Sequence, residues 1–191
     1  MLLPPPLDAV FNLYESRGDA EYVGEPVSVL EHSVQSAELA EAEGYDEEVV
    51  LAAFLHDIGH LLPQAAGEDM VGLGHVSHEK VGARYLRENG FSEKIAELVL
   101  GHVQAKRYLC FRFPEYGEKL SEASRQTLVF QGGMMSEAEA QAYETGLYFH
   151  LSLKLREWDE AAKVPGQPLP DLQRYRTMAE RHLRQVSGTE T

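Results

Sequence analysis

Apolar residues recur along this chain at intervals of three and four, the period of helices with one buried face. Long alternating runs of Val, Ile and Thr, which would mark strands, are missing. The pattern predicts a short helix over 7–16 that stops near Gly18, then a loop with a turn at Tyr22-Val23-Gly24-Glu25-Pro26. Helices follow over 27–43, closed by Gly44, and over 47–62, ended by Pro63. A Gly-rich loop is expected over 64–76, then a helix over 77–89 with Gly90 just past its end. Ser92 is placed to cap a helix running to about Tyr108. A short helix over 121–130 is broken by Gln131-Gly132-Gly133, and Ser136-Glu137-Ala138-Glu139 is a capping box that opens a long helix to about Ala162. Pro165, Pro168 and Pro170 mark a loop before a last helix over 171–185. The expected fold class is all-α, a helical bundle forming one domain over 1–191 with flexible ends at 1–6 and 186–191.

Several polar residues sit on faces that should be apolar. The stretch Val49 to Ile58 is apolar nearly all round, the mark of a buried helix, and it ends on adjacent His56 and Asp57. Burying a carboxylate costs several kcal/mol unless a cation or metal compensates. A buried His–Asp hydrogen bond or a nearby Arg would satisfy that step taken alone. Other residues extend the pattern. His32 shares a face with Val29, Ser33, Ser36 and Leu39, and His102 with Ile95, Leu98 and Val99. His78 lies on the face of Val81, Gly82 and Tyr85, and Asp159 on that of Tyr148, Ser152 and Leu155. Four histidines and two aspartates thus point inward from five predicted helices. Imidazole nitrogen with carboxylate oxygen suits iron, manganese or zinc. Six ligands exceed what one ion takes while keeping positions open for substrate, so two ions sharing a carboxylate such as Asp57 fit the inventory.

Composition narrows the picture. The single cysteine, Cys110, excludes an internal disulfide framework and a cysteine-based zinc or iron–sulfur site. A formal net charge of −14 argues against nucleic acid as a partner. A small anion can still bind where cations converge, and Lys106 and Arg156 lie on the faces that carry His102 and Asp159. Without other information, each would be read as a surface ion pair. No apolar run approaches the ~20 residues a membrane helix needs, and the start MLLPPPLDAV lacks a signal-peptide pattern. A cytoplasmic protein, monomeric or weakly dimeric, is the expectation.

The order of His32, His56-Asp57 and Asp159 resembles the signature of the HD-domain superfamily, and His78 with His102 resembles its binuclear branch. Further segments sharpen the likeness: Tyr22-Val23-Gly24-Glu25, LEHS at 30–33, LHDIGH at 55–60, HEKVGARYLRENGFSE at 78–93, GHVQAKRYL at 101–109, LSEASRQTL at 120–128, QGGMM at 131–135 and LREWDE at 155–160. Together they are similar to the phosphonate-cleaving HD oxygenases, the PhnZ-type mixed-valent diiron enzymes, over about residues 20–185. His75 and Ser77 belong to a stretch outside that pattern.

The resemblance implies an HD-domain helical bundle holding two iron ions, Fe(II) and Fe(III), bridged by Asp57. One ion would be held by His32, His56, Asp57 and Asp159, the other by Asp57, His78 and His102. It implies that Tyr22 caps the second iron until substrate binds, and that Glu25 closes over the substrate's amino end. His60, Lys106, Ser124, Thr127, Gln131 and Arg156 would surround the phosphonate. The implied reaction uses O2 to cleave the carbon–phosphorus bond of a 1-hydroxy-2-(amino or trimethylammonio)ethylphosphonate, releasing phosphate and glycine or glycine betaine. A primary amine would hydrogen-bond to Glu25, whereas a quaternary ammonium would favour aromatic walls, for which Tyr22, Tyr85, Tyr108, Phe111 and Phe113 are candidates. The chief alternative is a metal-dependent HD phosphohydrolase acting on a nucleotide or phosphodiester, although a mononuclear hydrolase would not require His78 and His102. Inositol-type oxygenases have longer chains, and an inactive binding module would be expected to have lost ligands.

Overall fold

A computed structural model describes residues 5–22, 24–63, 77–168 and 171–188. The expected loop over 64–76, with His75, lies outside the described residues. The described residues form ten α-helices and no strand: α1 Pro5–Arg17, α2 Val29–Ala42, α3 Glu47–Leu55, α4 His78–Glu88, α5 Glu93–Arg112, α6 Pro114–Lys119, α7 Glu122–Phe130, α8 Glu137–Glu144, α9 Phe149–Ala161 and α10 Gln173–Val186. The all-α expectation is met. Pro5 and Val186, expected in the flexible ends, lie in α1 and α10. No described helix is long and apolar enough to cross a membrane.

Helix α5 is the centre of the bundle. It packs against α3, α4 and α9, while α2 lies across α3 and α9. Phe54, Leu55, Leu98, Val99, Leu155 and Trp158 belong to the main core, which α10 closes with Tyr175 and Ala179. Phe54 stacks on Tyr175 at 4.6 Å between ring centroids. A second, smaller core gathers Tyr108, Met135 and Ala140, with Tyr143 and Phe149 against it. The caps expected at Ser92 and Ser136 are present, the latter with both bonds of its capping box. Ser28 builds a second capping box with Glu31 at the start of α2.

Four elements depart from the sequence reading. The helix expected to run to Leu62 ends at Leu55. His56 and Asp57 form a turn, followed by a short 3-10 segment, Ile58–Leu61. Tertiary packing causes the break: Gly59 lies so close to α4 that a Cβ there would stand 2.1 Å from the His78 carbonyl oxygen. The long helix expected from Ser136 to Ala162 is two helices. Between α8 and α9, the Thr145 hydroxyl donates to the Ala142 carbonyl, and Gly146 N–H to Tyr143. The resulting bend lets Tyr143 and Phe149 both pack on Tyr108. Helix α6 has no counterpart in the sequence reading, because its six residues PEYGEK carry too little apolar periodicity and bury none of their number. Helix α5 also runs four residues past Tyr108.

Candidate metal centre and its cavity

The break after Leu55 is what brings His56 and Asp57 together. Consecutive residues on a regular helix point about 100° apart, whereas the turn lets both side chains converge on one point. Nε2 of His56 lies 3.4 Å from Oδ2 of Asp57. Nε2 of His32, from α2, lies 3.1 Å from Nε2 of His56 and 3.6 Å from the same Asp57 oxygen. Asp159, from α9, brings Oδ1 to 3.4 Å from His32. The other oxygen of Asp57, Oδ1, faces the opposite way, toward Nε2 of His78 at 3.2 Å and of His102 at 3.5 Å. Those two nitrogens are 3.1 Å apart. All six residues are buried.

Inward-facing ring nitrogens 3.1 Å apart in each pair describe a ligand set drawn around a point better than a hydrogen-bond chain. The outer nitrogens are occupied elsewhere: Nδ1 of His32 at the Ala162 carbonyl (2.8 Å), of His56 at Ala53 (2.8 Å) and of His102 at Val99 (2.6 Å). Such contacts fix the ring and turn Nε2 inward. Oδ2 of Asp57 is buried without a hydrogen-bond partner. Nitrogen and carboxylate donors, a bare buried oxygen and inward lone pairs fit divalent or trivalent first-row metal ions. His32, His56 and Asp57 have ligand atoms within 4.8 Å of one another, as do Asp57, His60 and His78. His60, which the resemblance assigned to the phosphonate, thus also stands near the second half of the centre, its ring stacked on His78 at 4.1 Å.

Electrostatics follow from the burial. Dehydration would raise the Asp57 carboxyl, but His56, His102 and His78 override it and hold the group well below the ordinary carboxylate range. Burial would lower His56, yet Asp57 beside it lifts the imidazole to about 9. His60 is pushed down to about 3 by burial and then by His78, so its ring is neutral. Asp159 is held low against dehydration by the Arg156 guanidinium, which contacts it at 2.5 Å.

A cavity of about 520 Å³ opens onto this centre and is lined by Asp57, His78, His102 and Asp159. Tyr22, Glu25, His60, Lys106, Ser124, Thr127, Gln131 and Arg156 line it as well. The ring of Tyr22 stacks on His32 at 4.3 Å, and burial followed by Asp57 keeps its hydroxyl protonated. Nζ of Lys106 donates to Thr127 Oγ1 at 3.0 Å and to the Ser124 carbonyl at 3.4 Å. Burial, then Arg156, lowers this lysine to about 7. Arg156 donates to Tyr116 at 2.9 Å and to Ser124 Oγ at 3.4 Å. Oε1 of Gln131 is buried without a partner. Two buried cationic side chains, Lys106 and Arg156, line the cavity beside the candidate metal centre and could hold a small oxyanion, whereas the unpartnered Gln131 oxygen is an acceptor that calls for a donor.

Of the aromatic residues considered as walls, Tyr22 lines the cavity, while Tyr85, Tyr108, Phe111 and Phe113 do not. Tyr108 and Phe111 instead serve the smaller core. Sequence reasoning also passed over four residues. Lys163 and Ser121 hold Glu25, at 2.9 and 2.5 Å. Tyr116 orients Arg156 from the unexpected helix α6. Glu79 is buried beside His78. Lys163 and Ser121 are far from Glu25 in the chain and carry no motif, so only the fold could reveal them. A glutamate following a candidate ligand was visible, but a first-turn acid is ordinary in any helix.

Comparison with known proteins shows what the chain is similar to. The HD domain model matches residues 29–129. An uncharacterised protein of Acanthamoeba polyphaga mimivirus is 42% identical over 93% of this chain and 81% of its own length. The [1-hydroxy-2-(trimethylamino)ethyl]phosphonate dioxygenase (glycine-betaine-forming) of Leisingera caerulea is 38% identical over 95% of this chain and 92% of its own. The hydroxymethylphosphonate dioxygenase of Gimesia maris is 40% identical over 90% and 85%.

Proposed function

Because the chain belongs to the HD-domain family, among relatives of its phosphonate dioxygenases, we propose that it is a diiron dioxygenase that cleaves the carbon–phosphorus bond of a 1-hydroxyphosphonate. The observation that carries this reading is Asp57, whose two oxygens face separate pairs of imidazole nitrogens. His32, His56 and Asp159 would complete one ion's set, and His78 and His102 the other's. Bound iron would supply the one-electron chemistry that couples O2 to oxidation at C1.

The remaining work falls to the chain itself. Lys106 and Arg156 face the cavity next to the centre and would bind the phosphonate oxygens, with Ser124, Thr127 and Gln131 adding neutral contacts. Anchoring that group fixes C1 and its hydroxyl against the metals, which removes orientational freedom from the reaction. Tyr22, expected over the second ion, has its ring stacked on His32 of the first ion's set, and its displacement by substrate would open the centre. The neutral His60 ring would add a further hydrogen-bonding contact beside the phosphonate. Overall, a 1-hydroxyphosphonate and one O2 give a carboxylic acid and phosphate, with both atoms of dioxygen accounted for in the products.

The substrate we favour is a 1-hydroxy-2-(amino or trimethylammonio)ethylphosphonate, giving glycine or glycine betaine, since Glu25 lines the cavity and a cationic end could share or replace Lys163 as the partner of its carboxylate. The two dioxygenase relatives share the 1-hydroxyphosphonate unit and differ beyond C1. To test the proposal, the protein is reconstituted with iron, examined for the half-integer-spin signal of an Fe(II)/Fe(III) pair, and given each hydroxyphosphonate with oxygen. Phosphate release that requires O2 is expected. Phosphodiester hydrolysis without oxygen, and no such signal, would instead establish the phosphohydrolase alternative.

A further inference from the structure

Three of the four imidazoles at the centre have their outer nitrogen held by a main-chain carbonyl. His78 does not. Its Nδ1 is buried without a hydrogen-bond partner, and so is Oε2 of the adjacent Glu79. The two atoms are 4.0 Å apart, and both residues are more than nine-tenths buried. Among the described residues, this is the one ionic contact of Glu79. A buried carboxylate without a cation costs several kcal/mol. The start of α4 offsets only a small part of that. Neighbours in sequence do not ordinarily face each other on a helix, so helix geometry alone does not account for the approach.

The backbone of His78 has little freedom to supply the missing bond. Ser77, just before it, is in the left-handed region at φ 61°. Gly59 packs directly on the His78 carbonyl. The orientation of the ring is therefore left to a side chain.

We infer that Glu79 is a positioning residue for the second metal ion, accepting a hydrogen bond from Nδ1–H of His78 when Nε2 is a ligand. Ligation draws electron density from the ring and makes Nδ1–H a stronger donor. The carboxylate in turn fixes the tautomer and raises the basicity of Nε2. The ion provides, through the ring, the positive charge that the buried carboxylate lacks. This inference rests on the two-metal reading of the centre.

The test is anaerobic titration of the metal-free protein with Fe(II), followed by metal analysis after desalting. Wild type should retain two ions. Glu79→Gln should hold the first ion as tightly as wild type and the second about 10–100-fold more weakly, so that one ion survives desalting. In a His78→Ala background, Glu79→Gln should cause no further loss. Two tightly held ions in Glu79→Gln would overturn the inference, and so would equal weakening of both. Fewer than two ions in wild type would instead sink the binuclear reading, and the inference with it. Should the variants not fold, nitrogen-15 NMR of Zn(II)-loaded wild type decides the matter. A strongly hydrogen-bonded Nδ1 proton on His78 is expected, and a proton exchanging freely with water would overturn the role of Glu79.

Discussion

The two halves of the centre are built differently. His32 comes from α2 and His56 from the turn that closes α3, both rings are braced by carbonyls, and Asp159 opposite them is held by Arg156. On the other side, His102 is braced in the same way from α5, but His78 opens α4 immediately after a left-handed residue, with its Nδ1 unsatisfied. The first half is preorganised by the fold. The second depends on one helix start and one side chain, which makes it the half where metal affinity is expected to be lower.

The strongest way to break that contrast is at the shared residue. Asp57→Ala should cost both ions and lower O2-dependent phosphate release on the order of 10³-fold, several kcal/mol of lost metal catalysis. His78→Ala should lose turnover as fully while still retaining one ion. Full activity in either variant, measured beside metal content, would refute the binuclear centre.

Next in size is the brace on the first half. Arg156→Met leaves Asp159 buried without its guanidinium and should destabilise the metal-free protein by about 3–5 kcal/mol. Urea unfolding measures the loss. Adding metal should recover more stability in the variant than in wild type, because the ion replaces the missing cation.

The two cations of the cavity can be separated by pH. Lys106 is lowered to about 7 by burial and by Arg156, so it is protonated below that pH and neutral above it. Burial would lower Arg156 too, but Asp159 more than restores it, and it stays charged throughout. On the proposed role of Lys106, phosphonate binding would need the protonated lysine, so affinity should fall by up to about tenfold per unit as pH rises above 7. Calorimetric titration across that window should show the fall in wild type and none in Lys106→Arg.

The smallest effects belong to the helix caps. Ser28→Ala, at the start of α2, and Ser92→Ala, at the start of α5, should each cost about 1 kcal/mol of stability. Neither should change the ratio of the two metal affinities. A cap variant that shifted this ratio would show that helix ends, rather than ring bracing, set the asymmetry.

Much of the centre could be read from the chain because its residues lie on faces that are otherwise apolar. His32, His102 and Asp159 each continue a stripe of core residues, and the fold buries all three. The contacts that adjust them were not legible. Three of the bracing partners are carbonyl oxygens, which every residue has and no sequence pattern marks. Tyr116 sits on a helix too short and polar to show a period. Lys163 meets Glu25 across 138 positions of chain.

By itself, the sequence determined the helical class and the inventory of candidate ligands, because periodicity and the cost of burying charge act locally and leave a mark on composition. Where the helices stop was decided by packing. Local propensity carries α3 on toward Leu62, but Gly59 must meet the backbone of His78, and the chain turns at His56 instead. That turn points two consecutive side chains at one place, and it divides the oxygens of Asp57 between two pairs of histidines. No spacing along the chain encodes such a division, since it exists only once five helices have closed around a single carboxylate.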